Sequence, residues 1–216
     1  MKFNNPETLS LIEALHSTPA RRYLSDKPIT DKIIRTLIDA AIRAPSGGNI
    51  QKWAWVIVRN QDTKNQIAKW YLEGWQKSYG VRRNEILHQA DISDRLGPKN
   101  FLSAEHLANN IQHAPVWIFA ILRNTAKSNN PKVGSSIYGA VQNLMLAARA
   151  HGIGTTLTTL YDLHEEEVKN LLNIPKDAMT MALIPLGYPS RGKWSEPKRR
   201  PIEEVSHWEK WSSPVE

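Results

Sequence analysis

The chain has 216 residues, 41% hydrophobic and 23% charged, with a formal net charge of +7, enough for one domain with a real core or two very small ones. It contains no cysteine, which excludes disulfides, thiolate zinc sites, iron–sulfur clusters and cysteine nucleophiles. Lys and Arg alternate with Asp and Glu along most of its length and the densest basic cluster, "KWSEPKRRP", is short, so the charge favours a small anionic ligand over a nucleic acid.

The first stretch, "MKFNNPETLSLIEALHS", lacks the apolar core of a signal peptide. Residues 6–17 read as a helix with Leu9, Ile12 and Leu15 on one face. A second helix starts at the Thr-Asp signal of "DKPITD" and keeps a helical period through Ile33, Ile34, Leu37, Ile38, Ala41 and Ile42. It stops at "PSGGN", where proline and glycines disfavour continuation. The β-branched and aromatic run "WAWVIVRN" then reads as a strand.

Residues 62–112 are mostly helical in pattern and carry Trp70, Tyr71, Trp75 and Tyr79 within ten positions. "APVWIFAILR" reads as a second buried strand, about half the roughly 20 residues a membrane helix needs. A soluble, cytoplasmic protein with no membrane partner is therefore expected. "SSIYGAVQNLMLAARAHG" reads as a long helix with Val141, Leu144, Met145 and Ala148 inward and Gly152 as its cap. "TTLTTLY" suits strand or extended loop, "LHEEEVKNLLNI" a short helix, and "MTMALIPLGYP" a third strong strand. From Ser190 the chain is polar, proline-punctuated and Trp-rich, and such a tail needs a surface to lie on. The sum is an α+β or mixed α/β layer protein.

Several familiar chemistries fail on context. Ser46 in "APSGG" follows a helix and precedes a strand, the reverse of a nucleophile elbow. "HEEEV" lacks the second histidine of a zinc helix, and no metal site is expected. The G-x-G of "HGIGTT" closes a helix, where a dinucleotide fingerprint opens one. What remains is a scattered set able to hold an anion and a polar ring. Arg21, Arg22, Lys198, Arg199 and Arg200 offer charge, Ser46, Asn49 and the threonines at 155, 156, 158 and 159 offer hydrogen bonds, and Gly47 and Gly48 offer open backbone. Taken singly, each also suits a turn, a cap or a solvated charge.

Five segments in order, "ARRYLSDKPIT", "AAIRAPSGGNIQKW", "AVQNLMLAARAHGIGTTLTT", "LIPLGYPS" and "KRRPIEEV", resemble the FMN-dependent nitroreductase superfamily, nearest its flavin reductase and iodotyrosine dehalogenase branch. The resemblance implies one α+β domain over residues 1–216 with a nitroreductase-like fold: a central, mainly antiparallel β-sheet flanked by helices. Residues 62–112 would form a helical lid, and residues 190–216 an extension packing on the partner subunit of a homodimer. It implies FMN as cofactor, NADH or NADPH as donor, and ping-pong transfer to an electron-poor small molecule such as a nitroaromatic or quinone. No side chain is required as a catalytic group, because the flavin carries the chemistry.

By the same resemblance, Arg22 with Arg21, and Arg199 from the tail, bind the FMN phosphate and ribityl side. Pro45, Ser46 and Gly47 come from the partner chain, with Asn49 and Gln51 in or behind that shell, and Leu157, Thr158 and Thr159 lie along the ring edge near N5. Trp70, Tyr71 and Trp75 are candidates to stack an acceptor, with plain helix packing as the alternative. Thr18, Pro19 and Ala20 stand where the family usually has Arg and Ser, leaving Arg200 or Lys198 to compensate, and Lys52 stands where it tends to have Pro. No match appears to the Glu, Tyr and Lys that grip an amino-acid zwitterion in the dehalogenases, so iodotyrosine is not the expected substrate. A flavin storage or sensor protein and a basic nucleic-acid-binding module are the alternatives from other classes.

Overall fold

The computed structural model describes residues 9–88, 97–125, 128 and 130–211; the expectations that fall on residues 6–8, 89–96 and 212–216 lie outside the described residues. Four strands form one antiparallel sheet: β1 (Trp53–Val58), β2 (Val116–Leu122), β3 (Gly154–Thr155) and β4 (Met179–Gly187), in the order β1-β2-β4-β3.

Strand β2 is buried along its whole length, which explains why it reads as a continuous apolar run instead of an alternating one. Its alternate side chains enter two different cores. Val116, Ile118, Ala120 and Leu122 join the core under α2 (Asp31–Ala41) and α6 (Tyr138–Ala150). Trp117, Phe119 and Ile121 point to the opposite face and join the core under α3 (Gln61–Ser78) and α5 (Pro98–Asn110). The sheet is thus the middle of three layers.

Helix ends follow local chemistry. Thr30 caps α2 by accepting from Ile33 N, and Asn60 caps α3 by accepting from Thr63 N at 2.9 Å. Pro98 opens α5 after Gly97. At the end of α6, Gly152 has φ of 69° and the Ile153 N–H reaches back to Ala148 O at 2.9 Å, closing the helix as the sequence predicts.

Three elements differ from their predicted form. The first helix, α1 (Leu11–His16), buries only Ala14 and leaves Leu11, Ile12 and Leu15 exposed, because none of the described residues covers its apolar face. Helix α6 starts at Tyr138, since Pro131–Ser136 winds as a tighter 3₁₀ segment with Asn130 as cap. Residues 62–112 are several pieces: α3, a 3₁₀ turn at Gly80–Arg82, α4 (Arg83–Leu87) and α5. The last helix, α7 (Glu165–Leu171), is tied to β4 by Glu165, whose Oε1 accepts from Thr180 N at 2.9 Å and from Thr180 Oγ1 at 2.6 Å.

Candidate functional site

The 45–51 loop enters β1 through a constrained path. Gly48, Asn49 and Gln51 all have φ near 55°, a conformation that suits glycine and asparagine and strains glutamine. The loop is held by its own polar groups: Gln51 N donates to Ser46 Oγ at 3.1 Å, and Gly47 N to Ser136 Oγ at 3.2 Å. Beside it lies a cavity of about 270 Å³ lined by Ser46, Gly47, Gln51, Leu122, Val133 and Ser136 among others. Pro45, Gly47, Asn49 and Gln51 are exposed and Ser46 is half-buried. Strained backbone of this kind is found most often in loops that bind or switch.

A second group forms at the other side of the sheet. After β3 the chain runs through Leu157, Thr158 and Thr159, and Thr158 is bolted to the middle of β4: its N–H donates to Leu183 O at 3.0 Å and its carbonyl accepts from Leu183 N at 2.9 Å. Its hydroxyl lies 2.9 Å from the hydroxyl of Tyr71 on α3. Arg22 acts electrostatically on the same phenol. Burial pushes Tyr71 up, while the Thr158 hydrogen bond and the Arg22 charge pull it back. The Arg22 guanidinium is half-buried, is lowered by that burial, and has no carboxylate or other hydrogen-bond partner among the described residues. A cation so placed without a counter-ion is an open demand for an anion.

Arg21 differs from its neighbour and from the expectation of a second phosphate ligand. It is 9% exposed, and its guanidinium donates to the tail carbonyls of Arg191, Gly192 and Lys193 at 2.6–2.9 Å. Trp194 lies across it at 5.0 Å and across Arg149 at 4.2 Å. Its donors are therefore engaged in anchoring the tail. Arg199 is exposed, and its only hydrogen bond is to Lys198 O at 2.9 Å. No hydrogen bond or ion pair joins it to Arg22 among the described residues.

Two of the three aromatic candidates for acceptor stacking, Tyr71 and Trp75, are corrected. Trp75 is 1% exposed and packs against Phe101 and Tyr79; a side chain so deep, whose removal would cost about 3–5 kcal/mol, belongs to the core. Tyr71, at 2% exposed, is likewise interior and reaches the site through its hydroxyl alone. Trp70 is half-buried against the His164 ring at 5.7 Å. A wider groove of about 650 Å³ runs along α3 from Lys69 to Lys77 and on to Val81 in the following turn, but none of the predicted site residues lines it. Sequence reasoning missed Ser136 and the Tyr71–Thr158 pair; partners 89 and 87 positions apart leave no local signature.

Next to this group, Asp162 follows Thr159, to whose carbonyl its N–H bonds at 2.9 Å. Its carboxyl keeps solvent contact, yet the atoms packed around it and the nearby Glu165 push its pKa up to about 6. Folded protein therefore holds this proton more tightly than the unfolded chain, where the value is about 4. Its contribution to stability is present below pH 4 and is lost as pH rises through 6. Asp162→Asn should remove that loss, so that urea unfolding shows a gain over the parent at pH 7 and none at pH 4. Solvent screening holds the gain below about 1 kcal/mol.

The model of the nitroreductase family matches residues 16–188 of the chain. The chain belongs to the nitroreductase family. Among its relatives, an NADH dehydrogenase of Thermus thermophilus is 28% identical over 208 residues, 90% of this chain and 93% of that protein. An iodotyrosine deiodinase of Thermotoga neapolitana is 28% identical over 182 residues, 84% of this chain and 89% of its own. Two solved structures share the fold. An iodotyrosine deiodinase bound to FMN and 3-iodo-L-tyrosine has a TM-score of 0.71 at 21% identity, covering 94% of this chain and 100% of that one. A nitroreductase with bound FMN from Desulfitobacterium hafniense has a TM-score of 0.68 at 19% identity, covering 92% and 97%. This nitroreductase-family chain therefore has the α+β fold expected of it, an antiparallel sheet between helices. No helix among its described residues is long and apolar enough to cross a membrane.

Proposed function

We propose that the protein is an FMN-dependent oxidoreductase, acting as a homodimer, that takes electrons from NADH or NADPH and passes them to an electron-poor small molecule such as a nitroaromatic or quinone. The observation that carries the proposal is Arg22, a half-buried guanidinium with no counter-ion among the described residues, acting electrostatically on the Tyr71 phenol of the Tyr71–Thr158 hydroxyl pair. A dianionic phosphate answers the guanidinium fork, and a ring with nitrogen and carbonyl edges answers the hydroxyls and backbone amides.

The residues fit that cofactor. Arg22 would hold the phosphate and ribityl side, with Arg199, Lys198 and Arg200 as exposed charges available from the tail; Arg21 fixes that tail in place. Leu157, Thr158 and Thr159 would lie along the ring edge, and Pro45, Ser46, Gly47, Asn49 and Gln51 would close over it. When bound, FMN would supply the redox chemistry linking the nicotinamide donor to the acceptor.

The sheet topology supports the reading with two copies. The 45–51 loop feeds β1 and the 155–159 segment extends β3, at opposite edges of the four-stranded sheet. At about 4.8 Å per strand they stand about 14 Å apart in one chain, which supports a reading in which the loop closing over a given ring comes from the partner. The exposed Leu11, Ile12 and Leu15 of α1, with Ile202, Val205, Trp208 and Trp211 of the tail, supply apolar surface for that contact. Purified protein should be yellow, run at the size of a dimer, and lose its colour on adding NADH or NADPH without oxygen. Colourless protein that takes up no added FMN would sink the proposal. Bound flavin that neither donor reduces would favour the storage or sensor reading.

A further inference from the structure

We propose that Tyr71 is a positioning residue: its phenol donates to Thr158 Oγ1 and thereby commits the Thr158 hydroxyl to donating outward, toward the ligand. The identity of the ligand rests on the flavin reading above; the direction of the hydrogen bond does not.

Tyr71 sits on α3 at 2% exposure, and among the described residues Thr158 Oγ1, at 2.9 Å, is the only hydrogen-bond partner of its hydroxyl. A phenol carries one proton, and burying that proton without an acceptor is costly. Arg22 beside it cannot help, since a guanidinium only donates. The phenol must therefore give its proton to Thr158. Thr158 cannot turn away, because both its backbone groups are bonded to Leu183 and its β-branched side chain has few rotamers.

With one lone pair of Oγ1 filled by Tyr71, the hydroxyl proton of Thr158 has no protein acceptor among the described residues. The residue is half-buried and flanked by exposed Leu157, which leaves that proton available to a ligand arriving from solvent. The pair then discriminates. A ligand atom that accepts is welcomed; one that donates forces the pair to reverse and strands the Tyr71 proton in the interior. The ring nitrogen of oxidised flavin accepts, whereas in the reduced form it carries a proton. The pair should hold oxidised FMN more tightly relative to reduced FMN, by about tenfold.

The test compares parent, Tyr71→Phe and Thr158→Ser apoproteins, titrated with FMN and, anaerobically, with dithionite-reduced FMN. Tyr71→Phe keeps the buried ring and removes one oxygen. It should narrow the ratio of the two affinities about tenfold, and Thr158→Ser, which keeps the hydroxyl, should retain the parent ratio. Equal changes in both affinities, or no change, would overturn the proposal by reducing Tyr71 to packing. A second measurement needs no ligand. With ζ-¹³C-tyrosine in mixed H₂O and D₂O, a hydroxyl proton held as a donor exchanges slowly and splits the Tyr71 ζ-carbon signal, and Thr158→Val should abolish the splitting. A single averaged signal in the parent would overturn the assigned direction. If the parent binds neither form of FMN, the flavin reading fails and this second measurement still decides the direction.

Discussion

The Arg22→Ala, Arg199→Ala double variant is expected to purify without colour. Arg22 pays a desolvation cost in the folded chain with no counter-ion among the described residues, a cost that an arriving anion would offset. Deleting one member of a buried charge pair typically loses about 2–5 kcal/mol; at 1.4 kcal/mol per decade, FMN affinity should fall about 30- to 4000-fold from Arg22 alone. Arg199 is exposed in this chain, so its single replacement should cost less. Arg22→Lys should fall between, keeping the charge and losing the two-pronged geometry. Flavin content after purification and FMN titration of the apoprotein measure this. Full FMN occupancy in the double variant would refute the phosphate assignment.

Gly74→Ala should destabilise the protein by about 3 kcal/mol, against the trend for helices. In an exposed helix interior the same change stabilises by about 1 kcal/mol. Here a Cβ on Gly74 would stand 1.8 Å from Leu160 O and 2.9 Å from Leu160 C. Those are backbone atoms that no rotamer change can move aside, so α3 or the 157–161 segment must shift. The shift would also part Tyr71 from Thr158, linking a packing fault to the site. The urea midpoint should drop with an unchanged slope; a midpoint at or above the parent's would mean that α3 and the loop do not approach so closely in solution.

These two variants fall on opposite sides of what the sequence makes legible. Arg22 could be singled out because charge and motif spacing are written locally. The importance of Gly74 could not, because it depends on a carbonyl more than eighty positions away. The same contrast runs through the aromatics. Trp70, Tyr71 and Trp75 share ten positions of one helix and look equally available, yet α5 and the sheet bury the last two and leave the first half-covered. Arg21 and Arg22 are adjacent and identical in chemistry. A tail 170 positions downstream engages one and leaves the other without a partner.

Hydrophobic period and end signals by themselves determined α2, β1, β2, most of α6, β4 and the left-handed close at Gly152, because those depend on residues within a turn or a strand of one another. The sequence likewise determined the donors and charges available to a ligand. Only the tertiary structure decided which face each layer covers, that "PSGGN" and the threonines stand at opposite edges of the sheet, and that one arginine of a pair is left without a partner. The physical reason is that burial and charge pairing are set by what lies across a contact, and the chain carries no mark of its distant neighbours until it folds.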